Sequence, residues 1–156
     1  GSHPRVQERI DSFHELAAAK YAGLDGAVEA DRYYQVMTPL ILDNAETDLA
    51  IGRLVLARRD LDAVLNRQPN NARAHFLMGE VFRQDRDPGN EERADSHYRR
   101  AIEADSTLAD PHRALGYSLL KRGDRSSGRS ELHKYLELAP HAADRGYVEQ
   151  VLKEHS

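Results

Sequence analysis

The chain has 156 residues, 22 basic and 26 acidic side chains, a net charge of −4 and no cysteine. That length fits one domain or one compact array of repeats, and the balance is too mild for a nucleic-acid electrostatic footprint. Missing cysteine excludes disulfide scaffolds, thiolate zinc sites and cysteine nucleophiles; no apolar run approaches the length of a membrane span.

At the N-terminus, Gly1-Ser2 reads as a cloning scar outside the fold, with His3 native. Residues 3–38 form an N-terminal helical segment. Val6, Ile10, Phe13, Leu16 and Ala17 mark one buried helix face by their three-to-four spacing. Gly23 and Gly26 bracket a break. Tyr33, Tyr34, Met37, Ile41 and Leu42 continue the helical spacing, and Pro39 marks a kink or a fresh start. No segment alternates between apolar and polar residues in the manner of a strand.

From here the chain repeats itself. Met78-Gly79 matches Leu115-Gly116; Ala94, Tyr98 and Ala101 match Gly128, Leu132 and Tyr135 at a separation of 34. Ala57, Leu61 and Val64 match the same Ala94 set at a separation of 37. The extra residues fall in Asp85–Glu92, where Asp87-Pro88-Gly89-Asn90 is a turn sequence. The small residues predict close approach of two antiparallel helices, with Phe82, Tyr98, Leu119 and Leu132 filling the volume around it. Ser126-Ser127-Gly128 reads as a helix start capped by serine.

A helix–turn–helix period of 34 with a Leu/Met-Gly pair, a small residue downstream, an Ala-x-x-x-Tyr-x-x-Ala run and a closing Pro resembles the tetratricopeptide repeat. The resemblance covers Pro39–Ala142. It implies an all-α helical solenoid of three repeats, 39–71, 72–108 and 109–142, the first degenerate because Asn44, Ala45 and Asp48 replace the pattern. A C-terminal cap helix follows over 143–156, with Tyr147, Val148, Val151 and Leu152 on one face. A second resemblance rests on His3-Pro4-Arg5-Val6-Gln7-Glu8-Arg9-Ile10. It is similar to the segment closing the catalytic domain of periplasmic zinc metallopeptidases related to the CAAX-processing protease, often followed by tetratricopeptide repeats. That implies a periplasmic or envelope location and a catalytic domain elsewhere in the parent protein.

The chain itself lacks the peptidase site. In His14-Glu15-Leu16-Ala17-Ala18 the second histidine of an H-E-x-x-H helix is alanine, and His14 reads as a helix-surface residue. His75 and His112 occupy equivalent positions and read as fillers of aromatic volume; His97, His133, His141 and His155 do not converge with one another. No catalytic residue, metal ligand or cofactor is assigned, and the chain is read as no enzyme.

In such solenoids the first helix of each repeat lines a concave groove. The resemblance places Arg73, Phe76, Glu80 and Arg83 there, beside Gln84, and Arg113, Tyr117 and Lys121, beside Asp110 and Leu120. This mixture suits contact with a protein or peptide partner, or with the protein's own catalytic domain. It departs from the Lys/Asn/Arg clamp for chaperone C-terminal carboxylates: Phe76 and Glu80 stand at the Lys and Asn places, and Asp110 would repel a carboxylate. The alternative is a free-standing scaffold or assembly factor for a cell-envelope machine. An enzyme or metal-binding protein in its own right fits the composition less well.

Overall fold

The computed structural model describes residues 26–156 continuously, with side chains from residue 30, and residues 8, 11, 12, 14–16 and 19, which are helical. The His3–Ile10 segment, Glu8 apart, lies outside the described residues, as do Val6, Ile10, Phe13 and Ala17. Leu16 is described and is 69% exposed, so it does not belong to a buried face.

Seven helices follow: α1 (Gly26–Ala50), α2 (Leu54–Arg67), α3 (Ala72–Gln84), α4 (Asn90–Ala104), α5 (Ala109–Lys121), α6 (Arg125–Leu138) and α7 (Arg145–Glu154). Among the described residues, the substantial helix contacts join chain neighbours, with α1 also against α3. Nearest-neighbour stacking of this kind is the signature of a repeat array.

Helix α1 runs through Pro39, so the fresh start expected there does not occur. Proline removes the donor for the carbonyl of Gln35. Gln35 and Pro39 share the exposed face of α1, where water can replace the lost bond.

Three pairs, α1–α2, α3–α4 and α5–α6, are each joined by a turn containing a left-handed glycine: Gly52, Gly89 and Gly123, with φ of 76°, 85° and 87°. These glycines keep the two periods read from the sequence, so the extra residues precede Gly89. Within the pairs, a Cβ on Gly79 would stand 2.4 Å from Cε1 of Tyr98 and 3.2 Å from the carbonyl oxygen of Ala94. On Gly116 it would meet Leu132 at 2.8 Å and the carbonyl of Gly128 at 3.1 Å. The small residues therefore mark the close approaches, as their spacing predicts.

Two helix starts, those of α3 and α6, are capped by side chains that accept from orphan N–H groups. Asn71 accepts from the Ala74 amide at 2.9 Å. At α6 the cap is Asp124, which accepts from the Ser127 amide at 3.1 Å. That corrects the serine cap: Ser126 and Ser127 already lie in the helix, and serine there supplies only the amide.

The apolar interior divides. One cluster runs from Met37 in α1 to Leu119 in α5; a smaller one joins Leu120, Leu132 and Tyr135 to Val148, Val151 and Leu152 of α7. The degenerate pair compensates for its missing pattern with buried polar contacts. Asn44 donates from Nδ2 to Oδ2 of Asp60 at 2.8 Å, and Arg59 donates to the other carboxylate oxygen. Burial raises the Asp48 carboxyl above its ordinary range although Arg53 opposes the rise.

Candidate functional site

A cleft of about 480 Å³ opens between α3 and α5, with Ala94 and Tyr98 of α4 among its walls. Six of the seven groove residues named from the sequence line it: Phe76, Glu80, Arg83, Arg113, Tyr117 and Lys121. They converge because α3 and α5 are equivalent helices of adjacent pairs, so residues at helical spacing on each face the same gap. Glu91 of α4, Ala114 and Ser118 complete the wall.

Arg73 is not in this cleft. Its guanidinium is held at 2.8 Å by Asp43 and 2.5 Å by Glu46, both on α1, where two acids one turn apart match its donors. Leu120 is also misplaced by the sequence reading. It is buried, and a Cβ on Gly128 would lie 2.7 Å from its Cγ, so the missing side chain of Gly128 is what admits Leu120 to the interior. Gln84 and Asp110 do not line the cleft, although Asp110 contacts Arg113.

The charged lining is already paired. Arg83 donates to both carboxylate oxygens of Glu80, at 2.6–3.1 Å, which holds the guanidinium above its ordinary pKa. Glu80 also accepts the Tyr98 hydroxyl at 2.6 Å. Burial first, then the Glu80 charge, pushes the Tyr98 phenol far above its usual range. Lys121 pairs with Glu91 and lowers that carboxyl. Arg113 donates to Asp110 at 3.0 Å and to Asp144 at 2.7 Å, while Tyr135 donates to Asp144 at 2.5 Å. The Tyr135 hydrogen bond, with Arg113, holds the Asp144 carboxyl low; burial and that same bond push the Tyr135 phenol up to about 12. Asp144 precedes α7, so Arg113 braces the last helix as well as the cleft.

The aromatic members are less exposed than an open groove implies. Phe76 packs on the larger apolar cluster and lies 6.1 Å from the Tyr98 ring; Tyr117 packs on the smaller cluster. The Tyr117 hydroxyl is buried without a hydrogen-bond partner, and burial raises its pKa ahead of the neighbouring Asp144 charge. Tyr147 departs from the expected buried face of the last helix. It is 64% exposed, and its ring lies 6.3 Å from that of Tyr117, which itself lines the cleft.

The histidines pair in a way their spacing did not disclose. His75 Nε2 lies 2.8 Å from the Pro69 carbonyl, and its Nδ1 lies 3.0 Å from Nδ1 of His97. A carbonyl only accepts, so in the neutral pair Nε2 of His75 carries the proton and His97 donates to Nδ1. At the equivalent place in the next pair, His112 Nδ1 lies 2.6 Å from Glu131 Oε2, and its Nε2 is buried without a partner. Burial and the nearby His75 and Arg100 lower His97 to about 4. His14 is half-buried, its Nδ1 3.1 Å from the Tyr33 hydroxyl, instead of lying free on a helix surface. Among the described residues no three His, Cys, Asp or Glu side chains group as a metal site would need.

No family model matches the chain, and no curated protein matches it in sequence. Solved structures do. A mutant of the Thermobaculum terrenum O-GlcNAc transferase is similar with a TM-score of 0.66 and 27% identity, over 78% of this chain and 22% of that one. The Yersinia enterocolitica type III secretion translocator chaperone SycD is similar with a TM-score of 0.65 and 16% identity, over 75% of this chain and 81% of the chaperone. The first TPR domain of human RPAP3 gives 0.62 and 12%, over 76% and 94%. The chain spans about a fifth of the transferase's length. These likenesses establish the fold as an all-α tetratricopeptide-repeat helical solenoid.

Proposed function

We propose that the chain is a non-catalytic protein–protein interaction module, holding a peptide, a partner protein or a sister domain in the cleft between α3 and α5. The cleft itself carries this reading: its volume lies in the range of about 300–1,000 Å³ common to ligand pockets, with aromatic and arginine side chains on its walls. The histidine pairs close on one another, on a backbone carbonyl or on a glutamate, and none is set beside a nucleophile in the cleft. Support also comes from the likeness to a translocator chaperone and to a TPR domain.

On the His3–Ile10 resemblance alone, the sister domain is a periplasmic zinc metallopeptidase whose substrates the repeats present or gate. An H-E-x-x-H helix encoded upstream of His3 is the test of that parentage. The likeness to SycD across most of the chaperone's length favours a second reading, a free-standing scaffold or assembly factor of a cell-envelope machine.

The interaction reading is tested by identifying, by mass spectrometry, proteins that the wild type retains from envelope extract. A Phe76→Ala/Tyr117→Ala variant, checked by circular dichroism to be folded, is expected to lose them. Equal retention by both would remove the cleft from the account.

A further inference from the structure

The chemistry of the cleft narrows what it takes, on the premise that it is the interaction site proposed above. Every cation on its walls stands against an anion of the same chain: Arg83 on Glu80, Lys121 on Glu91, Arg113 on Asp110 and Asp144. Local charge is therefore close to cancelled, whichever of these pairs persists in water. A carboxylate entering the cleft would meet Glu80 and Glu91 along with the cations, and would have to displace an anion to gain a partner. An ammonium group would face the same cost with the signs reversed.

Apart from Ser118, the rest of the lining is aromatic and apolar. Phe76, Ala94, Ala114 and Tyr117 present carbon to the cleft, and the buried Tyr117 hydroxyl adds no hydrogen-bonding edge. Tyr147 extends this surface onto the cap helix. Its neighbours Val148 and Val151 are buried, while its own ring stands in solvent beside Tyr117. Phe76 of α3 and Tyr117 of α5 thus share the cleft wall, and Tyr147 of α7 adjoins Tyr117. Rigid aromatics flanked by a charged, internally satisfied rim have the anatomy of an interface centre, where charge is depleted.

We infer that the cleft selects a peptide segment carrying uncharged aromatic or aliphatic side chains, and that Tyr147 of the cap helix belongs to its binding surface. The paired cations form the rim that such a segment lies between; they are not its anchors.

The test is a random-peptide phage library sorted on the full chain, followed by titration of the enriched peptides, fluorescently labelled, in low and high salt. Enriched sequences are expected to carry apolar or aromatic side chains without net acidity. Their affinity should change by less than about threefold between about 50 and 500 mM salt, since charge contributes little. Tyr147→Ser should weaken them about tenfold while leaving the melting temperature unchanged. Enrichment of acidic peptides, with affinity falling steeply in salt, would overturn this selectivity and leave the interaction reading standing. Full binding by Tyr147→Ser would remove the cap helix from the site. A library yielding no binder would overturn both the selectivity and the peptide form of the interaction reading.

Discussion

Adding one methyl group at Gly79 measures how tightly α3 and α4 are drawn together. The new carbon would stand 2.4 Å from one ring carbon of Tyr98 and 2.6 Å from another, where carbon contacts settle at about 3.5–4.0 Å. The shortfall exceeds an ångström, and Tyr98 has little room to give. The ring is 1% exposed, lies beside Phe76, and its hydroxyl is tied to Glu80. Overpacking of this kind costs about 1–3 kcal/mol. Alanine returns up to about 1 kcal/mol of helix propensity. With Tyr98 pinned, the packing cost sits toward its upper end, and Gly79→Ala should lose about 1–2 kcal/mol. For a chain of this size that lowers the melting temperature by about 2–8 °C. Gly146 in α7 supplies the control, because a Cβ there meets nothing within 4 Å. Gly146→Ala should stabilise slightly, by up to about 1 kcal/mol. Thermal and urea unfolding by circular dichroism read both variants. A Gly79→Ala protein as stable as the wild type, or equal losses in the two variants, would refute the close approach.

Phe76→Ala should cost about 1–3 kcal/mol, because the ring packs on the larger core cluster, whereas Tyr117→Phe should be neutral or mildly stabilising, since it deletes an unsatisfied hydroxyl; urea titration separates the two. Protonating His97 is disfavoured in the fold, where its pKa is about 4 against about 6.5 in the unfolded chain. The unfolded chain therefore binds more protons between those values, and stability present above pH 6.5 should fall as pH drops toward 4. Discounted for the half-exposed ring, the loss is about 1–2 kcal/mol, and a His97→Gln variant should flatten that part of the pH profile. Asp144→Ala removes the acceptor shared by Arg113 and Tyr135; amide exchange should quicken across α7 and stay unchanged in α1 to α4, whose core cluster is separate. A chelator should leave the melting temperature unchanged, and one tightly held zinc per chain by elemental analysis would contradict the absence of assigned ligands.

The period in the chain marked the close approaches at Gly79 and Gly116 and the turn that absorbs the extra residues, but not the start of the first pair, where the helix runs unbroken from Gly26 through Pro39. Those features follow from backbone geometry: two helix backbones approach this closely only where a side chain is small or missing, so a small residue returns at each repeat. Spacing of three and four also fixes which residues share a face, and six of the residues read onto the groove line one cleft. What a side chain touches across the groove is not encoded by that spacing. Arg73 and Arg113 carry long, flexible guanidinium groups with several acids within reach, and only the packed helices decided that Asp43 with Glu46, and Asp110 with Asp144, would hold them. His97 met His75 because α3 and α4 bring together residues 22 apart in the chain. Leu120 turned inward because Gly128 left room on the facing helix, and Tyr147 turned outward because Val148 and Val151 took the buried face of α7. The backbone repeat is a local property that recurs along the chain, whereas side-chain partners are chosen among near-equal options by three-dimensional packing, so the first was legible in the sequence and the second was settled by the tertiary structure.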